Sequence, residues 1–509
     1  MGFGLGTAGS GSRPFNEGSP VAFHAPLPSW SRQHSEKCSL QRQFQAPRTY
    51  GLCRSRNWLP KDERDRTRRH SRARKLALLQ CVADDKGFMK RCIELAQLAR
   101  PSPNPPVGCV VVDPATGHIV GEGFHPRAGY AHAEQFALHA VASTSQNAAE
   151  RPPSGLGPAL HEPLAALPRC AHGMHVYVTL EPCNHYGRTP PCTESLIQAQ
   201  VARVVIGTLD PDPRTAGTGA ERLRRAGIMV QLGPLTAECN SLYEGFQHRI
   251  RYGRPLGILK YAMSLDGKIA TETGDARWVS SLASRHYVHT LRARCDAVVI
   301  GSGTLRHDDP ELTVRLGQDD LIPELRSPQP LRVVMTTSAA RLWHARPEAK
   351  LWNVAEASTV VAISSASNSN SSDSDFDAEL TAIEQLRLRG IQIADLDAYR
   401  PEPPTRALMH WLYERGCCNV LWECGGTLAT QAVRDRAVQK LLVFIAPKLV
   451  GGRTSPTPIA ADLGVLQMRE AVPLHITRTE KIGPDQDILV EAYLEREEAA
   501  CPSFALNAT

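Results

Sequence analysis

The sharpest chemical signal in the sequence is a group of one histidine, one glutamate and two cysteines, which are His132, Glu134, Cys183 and Cys192. One imidazole and two thiolates supply three protein ligands to zinc and leave the fourth position open for water, as catalytic zinc sites require. Bound zinc lowers the pKa of that water towards neutrality. A carboxylate two residues from the histidine can then take the water's proton and deliver it to a ring nitrogen or a leaving amine. These residue types predict hydrolytic chemistry at a zinc site.

The spacing matches the H-x-E…P-C-x-x-C pattern of zinc nucleobase deaminases except at one point. Eight residues separate Cys183 from Cys192, where the pattern has two. The consecutive prolines Pro190 and Pro191 favour a loop, so both cysteines can converge if 184–191 loops out. The alternative is that the histidine and the cysteines are unrelated packing residues. The combination of three ligands with the placed glutamate favours zinc.

Four longer stretches carry a family resemblance: SPNPPVG (102–108), GEGFHPRAGYAHAE (121–134), TLEPCNHYGRTPPCTESLI (179–197) and DPDPRTAGTG (210–219). They resemble the deaminase half of the bifunctional riboflavin-biosynthesis deaminase–reductase, and the whole resemblance covers roughly 86–496. It implies removal of the 2-amino group of 2,5-diamino-6-(5-phosphoribosylamino)pyrimidin-4(3H)-one, which gives 5-amino-6-(5-phosphoribosylamino)uracil.

The same resemblance implies further substrate contacts in this half. Asn104 and His125 correspond to the pyrimidine pocket, and His185 and Arg188 to the phosphoribosyl end. A guanidinium suits a phosphate because its donors can pair bidentately. The alternative for each of the four is an ordinary loop residue. Phe136 stands where the family commonly has histidine, which removes neither a zinc ligand nor the proton carrier.

A second set of motifs lies in the C-terminal half: KYAMSLDGKIAT (260–271), RWVSS (277–281), LRARCDAVVIGSGTLRHDDPELTVR (291–315) and LWECGGTLA (421–429). They resemble the reductase half of the same family. That half has a dihydrofolate-reductase-like α/β fold and uses NADPH to reduce the ribosyl group to a ribityl chain by hydride delivery at C1′. No G-x-G-x-x-G follows a strand in 254–496, so a Rossmann fingerprint is absent.

By resemblance, the NADPH contacts are Ala262, Trp278, Thr304 and Asp308, together with the turn 425–431. The contacts within that turn are Gly425, Gly426, Thr427 and Leu428. The substrate contacts are Ala276, Arg292, Leu312, Arg315 and Glu423. We expect Arg292 and Arg315 to hold the substrate phosphate. We expect Asp308 to transfer the proton that accompanies reduction of the ring-opened imine. Independently of the resemblance, glycines that open a helix after a strand make a phosphate cradle. The alternatives are a turn or helix cap for Asp308 and a core position for Trp278.

Alternating strands and helices predict two layered α/β domains, a cytidine-deaminase-like three-layer domain at 84–233 and a reductase domain at 254–496. A helical linker at 234–253 joins them, and 497–509 forms a tail. Strands are predicted at 107–112, 119–123, 175–180, 203–207, 228–232, 257–262, 297–301, 331–335, 359–363, 419–423 and 441–446. Helices are predicted to begin near 84 and 132 and to span 193–200, 219–226, 282–294, 379–389, 405–415 and 427–436. We expect 143–172 to be a surface loop and 364–377 a flexible insertion.

The net charge of +6 divides unevenly along the chain. Residues 1–80 hold 15 Lys or Arg against 5 Asp or Glu, a net of +10, which leaves −4 for the rest. The extension 1–83 is rich in Arg and Ser and poor in acids, as transit peptides are. We therefore expect a plastid enzyme, with an ordinary disordered tail on a cytoplasmic enzyme as the alternative.

Three rival functions fit the sequence less well. A form with only one active site would lose residues of one set, whereas both sets are present. A nucleic-acid deaminase predicts a basic body and no second catalytic domain, and the body here is acidic. A scaffold has no need for zinc ligands. We expect a small-molecule substrate, no nucleic-acid or membrane partner, and a homo-oligomer (a dimer or larger).

Overall fold

The computed structural model describes residues 85–145, 169–187, 190–213, 215–315, 328–364 and 373–494. The predicted transit peptide, the tail at 497–509, Arg188 and most of the predicted loops at 143–172 and 364–377 lie outside the described residues. No helix within the described ranges has the length and apolar character needed to cross a membrane.

The first domain is built on a five-stranded sheet in the order β2-β1-β3-β4-β5. β1 is antiparallel to β2 and β3, while β3, β4 and β5 run parallel. The strands are β1 (Gly108–Val112), β2 (Ile119–Phe124), β3 (His175–Leu180), β4 (Arg203–Thr208) and β5 (Met229–Leu232). The helices are α1 (85–96), α2 (Ala133–Ser145), α3 (Cys192–Gln198) and α4 (Thr218–Arg225), followed by α5 (Thr236–Leu242) and α6 (Glu244–Tyr252) in the linker.

Side chains alternate between the two faces of this sheet and so define its layers. Cys109 and Val111 of β1 pack in one buried cluster with residues of α2, α3 and α4. Val110 and Val112 pack in the opposite cluster with residues of α1 and α5. The sheet therefore lies between two helical layers, and the three-layer prediction is confirmed.

The second domain contains a nine-stranded sheet in the order β10-β9-β8-β7-β11-β6-β12-β14-β13. It is parallel from β10 to β12, and β14 and β13 add to it antiparallel. The strands are β6 (Leu256–Ser264), β7 (Ala297–Gly301), β8 (Leu331–Thr336), β9 (Thr359–Ile363), β10 (Gln392–Asp395), β11 (Asn419–Trp422), β12 (Lys440–Ala446), β13 (Leu474–Ile482) and β14 (Asp487–Leu494). The helices are α7 (Leu282–Ala293), α8 (Ser302–Asp308), α9 (Ala339–Ala345), α10 (Asp373–Leu388), α11 (Pro404–Glu414) and α12 (Gly426–Arg434).

The central strands of this sheet are apolar throughout because helices cover both faces. In β7, Ala297 and Val299 face a cluster that includes α11 and α12, whereas Val298 and Ile300 face α7, α8, α9 and α10. This arrangement leaves the carboxyl ends of the parallel strands at one edge, where α/β sheets bind ligands.

The predicted strands all form, but the sequence did not indicate β10, β13, β14, α8 or α9. β13 reads LHITRTEKI and is largely exposed, so it lacks the apolar alternation that would reveal a strand. The prediction for 364–377 is wrong at its C-terminal end, because α10 already begins at 373. An acidic residue such as Asp375 suits the first turn of a helix, where the backbone dipole is positive. Likewise α2 continues to Ser145, three residues into the predicted loop.

Candidate active sites

The ends of three elements bring the predicted zinc ligands together. His132 immediately precedes α2, Cys192 is the first residue of α3, and Cys183 follows β3 by three residues. The Nδ1 atom of His132 lies 3.3 Å from the Sγ of Cys192 and 3.6 Å from the Sγ of Cys183. The three donor atoms lie within 4.8 Å of one another, and one nitrogen with two sulfurs is a donor set that suits zinc.

The long spacing between the two cysteines is closed by hydrogen bonds at the base of the loop. The Cys192 backbone N–H donates to the Sγ of Cys183 (3.3 Å), and the Thr193 N–H donates to the Cys183 carbonyl (3.2 Å). The Thr193 hydroxyl also donates to Oδ1 of Asn184 (3.1 Å). Hydrogen bonds from Cys192 and His132 lower the pKa of Cys183 to about 4, which favours the thiolate that a metal needs.

Glu134 lies in the first turn of α2 and is 3% exposed. Burial raises its pKa to about 7, against the opposing charge of His132, so the carboxyl can both accept and release a proton near neutral pH.

The two predicted pyrimidine-pocket residues lie beside this cluster. The ring of His125 is buried, and its centroid is 5.2 Å from that of His132. Burial, together with the neighbouring His132, lowers the pKa of His125 to about 4, so the ring is neutral. Its Nε2 lies 3.0 Å from the amide nitrogen of Asn104, and its Nδ1 lies 3.0 Å from the Ala131 carbonyl. Since the Asn104 amide donates, Nδ1 carries the ring proton and donates to that carbonyl.

The remaining predicted residues of this half lie in different environments. His185 is exposed on the loop between the two cysteines, and Arg188 lies outside the described residues. Phe136 is buried in the core against the α1 side of the sheet, so it does not contribute polarity to the pocket.

Glu181 was missed by the sequence reasoning although it directly precedes Pro182. It is buried, and its carboxylate accepts hydrogen bonds from the backbone N–H groups of Asp210 (3.1 Å), Gly217 (2.8 Å) and Ala220 (2.9 Å). A side chain at Gly219 would clash with the backbone, since its Cβ would lie 2.2 Å from the Pro182 carbonyl oxygen. Glu181 therefore fixes the loop 210–219 against the segment that carries Cys183.

A cleft of about 1360 Å³ opens at the carboxyl ends of the parallel strands in the second domain. It is lined by every residue that the resemblance implied for this half: Ala262, Ala276, Trp278, Arg292, Thr304, Asp308, Leu312, Arg315, Glu423, Gly425, Gly426, Thr427 and Leu428. The cleft also contains Lys260, which the sequence reasoning missed. Burial lowers the pKa of Lys260, although the carboxylate of Glu423 opposes the shift.

Arg292 and Glu423 form a bidentate ion pair in this cleft, with distances of 2.5 Å (Nε–Oε1) and 2.9 Å (NH2–Oε2). The two side chains are 13% and 10% exposed. Burial opposes ionisation of Glu423, but the charge and hydrogen bonds of Arg292 outweigh burial and lower the pKa of that carboxyl. A third Arg292 nitrogen donates to the Thr313 carbonyl (3.3 Å), so Arg292 has few donors left for a phosphate.

The core alternative for Trp278 is excluded, whereas the turn or cap alternative holds for the segment that begins at Asp308. Trp278 is 63% exposed, with the Arg285 guanidinium 4.2 Å from its ring centroid, so it is not a core residue. Asp308 is the last residue of α8, and the cap is Asp309, with φ 41° and a carboxylate that accepts the Lys350 N–H (3.0 Å). Burial raises the pKa of Asp308.

The turn at the start of α12 fits the phosphates of a dinucleotide. α12 begins at Gly426 with no side-chain cap, so its first N–H groups remain available to an anion. A Cβ at Gly426 would lie 2.4 Å from the Thr457 carbonyl oxygen, so only glycine allows this close approach.

Comparison with known proteins supports the assignment of a deaminase domain and a reductase domain. Residues 82–208 match the family described as "Cytidine and deoxycytidylate deaminase zinc-binding region", and residues 255–487 match "RibD C-terminal domain". These matches fit the predicted cofactors, zinc for the first half and NADPH for the second.

Individual relatives match over most of their length. The chain is 41% identical to "Riboflavin biosynthesis protein RibD" of Synechocystis over 79% of this chain and 95% of that protein. It is 32% identical to "Riboflavin biosynthesis protein PYRR, chloroplastic" of Arabidopsis thaliana over 81% of this chain and 61% of that protein. The solved Acinetobacter baumannii RibD superposes with a TM-score of 0.61 at 30% identity and covers 81% of this chain and 99% of that one.

Another solved structure, a diaminohydroxyphosphoribosylaminopyrimidine deaminase/5-amino-6-(5-phosphoribosylamino)uracil reductase from Thermotoga maritima, gives a TM-score of 0.61 at 30% identity over 81% of this chain and 99% of its own. The fold, the two matched regions and these relatives agree, and the chain belongs to the RibD family of riboflavin biosynthesis proteins, with a deaminase domain followed by a reductase domain.

Proposed function

We propose that both active sites of this chain operate in sequence. The first removes the 2-amino group of 2,5-diamino-6-(5-phosphoribosylamino)pyrimidin-4(3H)-one by hydrolysis, and the second reduces the ribosyl group of the product with NADPH. The observation that carries the proposal is that one chain holds a compact His–Cys–Cys cluster beside a buried glutamate and, separately, a cleft lined by the complete reductase set.

In the deaminase site, His132, Cys183 and Cys192 hold zinc, which when bound supplies an acidified water. Glu134 takes one proton from the attacking water and delivers it to the ring nitrogen, and it then carries the second proton, from the hydroxyl added to the ring carbon, to the amine that leaves as ammonia. Its burial supports this role, because a carboxyl with a pKa raised to about 7 exchanges protons readily at neutral pH. Asn104 and the neutral His125 orient the pyrimidine, while Glu181 holds the loop 210–219 in place.

In the reductase site, the start of α12 and Trp278 bind NADPH, which supplies the hydride. Asp308 supplies the proton, and burial raises the pKa of its carboxyl. Arg315 holds the substrate phosphate. The pairing of Arg292 with Glu423 suggests that Arg292 acts chiefly by orienting that carboxylate towards the sugar hydroxyls, and only secondarily on the phosphate.

Two further proposals concern the whole protein. β13 is the edge of the large sheet and exposes Leu474 and Ile476, and Leu466 and Met468, shortly before it in the chain, are exposed as well, which suits pairing with a second copy. Light scattering should then give at least twice the monomer mass.

The extension 1–83 directs the chain to plastids, as the chloroplastic names of the Arabidopsis and Zea mays relatives favour. A fluorescent fusion of 1–80 that stays in the cytosol would contradict this targeting.

The test is to purify the chain, measure its zinc content and assay each step with its own substrate. We expect one zinc ion per chain, deamination without NADPH, and NADPH oxidation when the deaminated substrate is supplied. The alternative, a chain with one active site, predicts turnover of only one of the two substrates.

A further inference from the structure

Arg100 lies where the deaminase and reductase domains meet, and its guanidinium contacts the reductase domain at several points. Its Nε is 3.4 Å from Oδ1 of Asp296, and the two side chains are 7% and 8% exposed. Its terminal nitrogens donate to the backbone carbonyls of Cys295, Pro328 and Gln329, the last at 3.2 Å. A buried guanidinium with this many partners fixes two surfaces against each other.

On the deaminase side, Arg100 begins the short segment 100–104 that ends at Asn104, the partner of His125. Pro103 in this segment also contacts the reductase domain. Its carbonyl oxygen lies 3.7 Å from the Sγ of Cys418, and a Cβ on Gly416 would come within 3.2 Å of its ring. The segment that supplies Asn104 is therefore held from the reductase side.

Asp296 directly precedes β7, and both of its carboxylate oxygens have partners. Its Oδ2 accepts the backbone N–H groups of Cys418 (2.7 Å) and Asn419 (2.9 Å), while Oδ1 faces Arg100. The carboxylate thus joins the amino ends of β7 and β11 to the Arg100 guanidinium. Replacement of Arg100 would leave a buried carboxylate without its charged partner.

A second branch runs from Arg100 to the reductase cleft through Gln329. The Gln329 side chain makes two hydrogen bonds with the backbone of Val314. Its Oε1 accepts the Val314 N–H (2.7 Å), and its Nε2 donates to the Val314 carbonyl (3.2 Å). Val314 lies between Thr313, whose carbonyl accepts from Arg292, and Arg315. The path is continuous from the deaminase segment to the cleft.

We propose that Arg100 is a positioning residue for both reactions. It holds Asn104 at the pyrimidine pocket, and through Gln329 it holds the segment 313–315 at the phosphate end of the reductase substrate. This inference rests on the proposed function and adds a physical link between the two sites. The link makes the geometry of each substrate pocket depend on one guanidinium at the domain contact.

The experiment compares the full-length chain with Arg100→Ala, Gln329→Ala and the control Arg91→Ala, which removes an ion pair with Glu122 inside the deaminase domain. KM and kcat are measured for each substrate and for NADPH. We expect Arg100→Ala to raise the KM of both substrates by about 2-fold to 30-fold, with kcat, the NADPH KM and the zinc content nearly unchanged. Gln329→Ala should raise only the KM of the reductase substrate, and Arg91→Ala neither.

Hydrogen–deuterium exchange gives a readout that does not depend on activity. Exchange of the Val314 amide should accelerate in both Arg100→Ala and Gln329→Ala and stay at the parent rate in Arg91→Ala. Unchanged substrate KM values in folded Arg100→Ala, or a loss of kcat without a change in KM, would overturn the inference. If Arg100→Ala does not fold, Arg100→Lys and Gln329→Ala decide by the same criteria. An inactive parent chain would instead refute the proposed function.

Discussion

The Nδ1 atom of His132 lies 3.3 Å from the Sγ atom of Cys192, although 60 positions separate the two residues in the chain. The contact depends on helix starts, because His132 precedes α2 directly and Cys192 opens α3. Two helix N-termini that converge beside the end of β3 thus build the metal-binding geometry. The position of the ligands at the ends of rigid elements explains how the loop between the cysteines can lengthen without loss of the site.

The first prediction concerns zinc retention. Cys192→Ser should lower the zinc content of the purified chain well below one ion, because a neutral hydroxyl replaces a thiolate ligand. The measurement is metal analysis by mass spectrometry after exhaustive dialysis. Cys170→Ser is the matched control, since Cys170 lies outside the cluster, and it should keep its zinc. Equal zinc content in the two variants would remove Cys192 from the ligand set.

The second prediction concerns Glu181, which holds the loop 210–219. Glu181→Ala should leave three backbone N–H groups without their acceptor, at a cost of about 1–3 kcal/mol for each that stays unsatisfied. We expect a lower deaminase kcat/KM and a lower unfolding temperature for the deaminase domain, with the reductase KM values unchanged. Calorimetry and separate assays of the two steps check this. Glu122→Ala, which removes a partly buried carboxylate partner of Arg91, should be much milder.

The third prediction separates the structural and functional roles of the Arg292–Glu423 pair. Arg292→Ala should destabilise the reductase domain by about 3–5 kcal/mol, because it leaves a buried carboxylate unpaired. The double variant Arg292→Met/Glu423→Leu should recover most of that stability but not reductase activity. Chemical denaturation and NADPH oxidation measure the two effects. Recovery of activity in the double variant would show that neither charge takes part in the reaction.

The same pair has a definite pH dependence. Arg292 holds the pKa of Glu423 below its ordinary value of 4.5, so the stabilisation is complete above that pH and is lost as the pH falls through the folded-state pKa. The stabilities of the parent and Arg292→Ala should therefore differ most near neutral pH and converge as the pH falls through the folded-state pKa of Glu423, which lies below 4.5. A difference in stability that does not decrease as the pH is lowered from 7 to well below 4.5 would contradict this electrostatic account.

The fourth prediction concerns the close approach at the start of α12. Gly426→Ala places a methyl group 2.4 Å from the Thr457 carbonyl oxygen, so the helix start or the loop 457–460 must shift. The KM for NADPH should rise by about tenfold or more, while deamination stays at the parent rate. Gly87→Ala is the control, because its methyl group would meet no atom within 4 Å. A normal NADPH KM in Gly426→Ala would place the cofactor elsewhere in the cleft.

Local patterns were sufficient to predict the metal cluster and the strands that position it. His132, Cys183 and Cys192 occur at boundaries between predicted elements, and β3 and β7 are continuous apolar runs with clear ends. Long-range relationships could not be predicted in this way. Nothing near Arg100 in the sequence indicates Asp296 or Gln329, because a single arginine in a loop fits many environments. β13 was missed because an exposed strand at the edge of a sheet has no buried face to impose a pattern, whereas β14 lies between β12 and β13 and buries Leu489 and Ala492.

The most direct test of the account is a pair of assays on Glu134→Ala. This variant should keep its zinc, lose deamination by a factor of about 10² to 10⁴, and still oxidise NADPH at the parent rate when the deaminated substrate is supplied. Parallel loss of both activities in a folded, zinc-loaded Glu134→Ala chain would contradict two separate active sites in this protein.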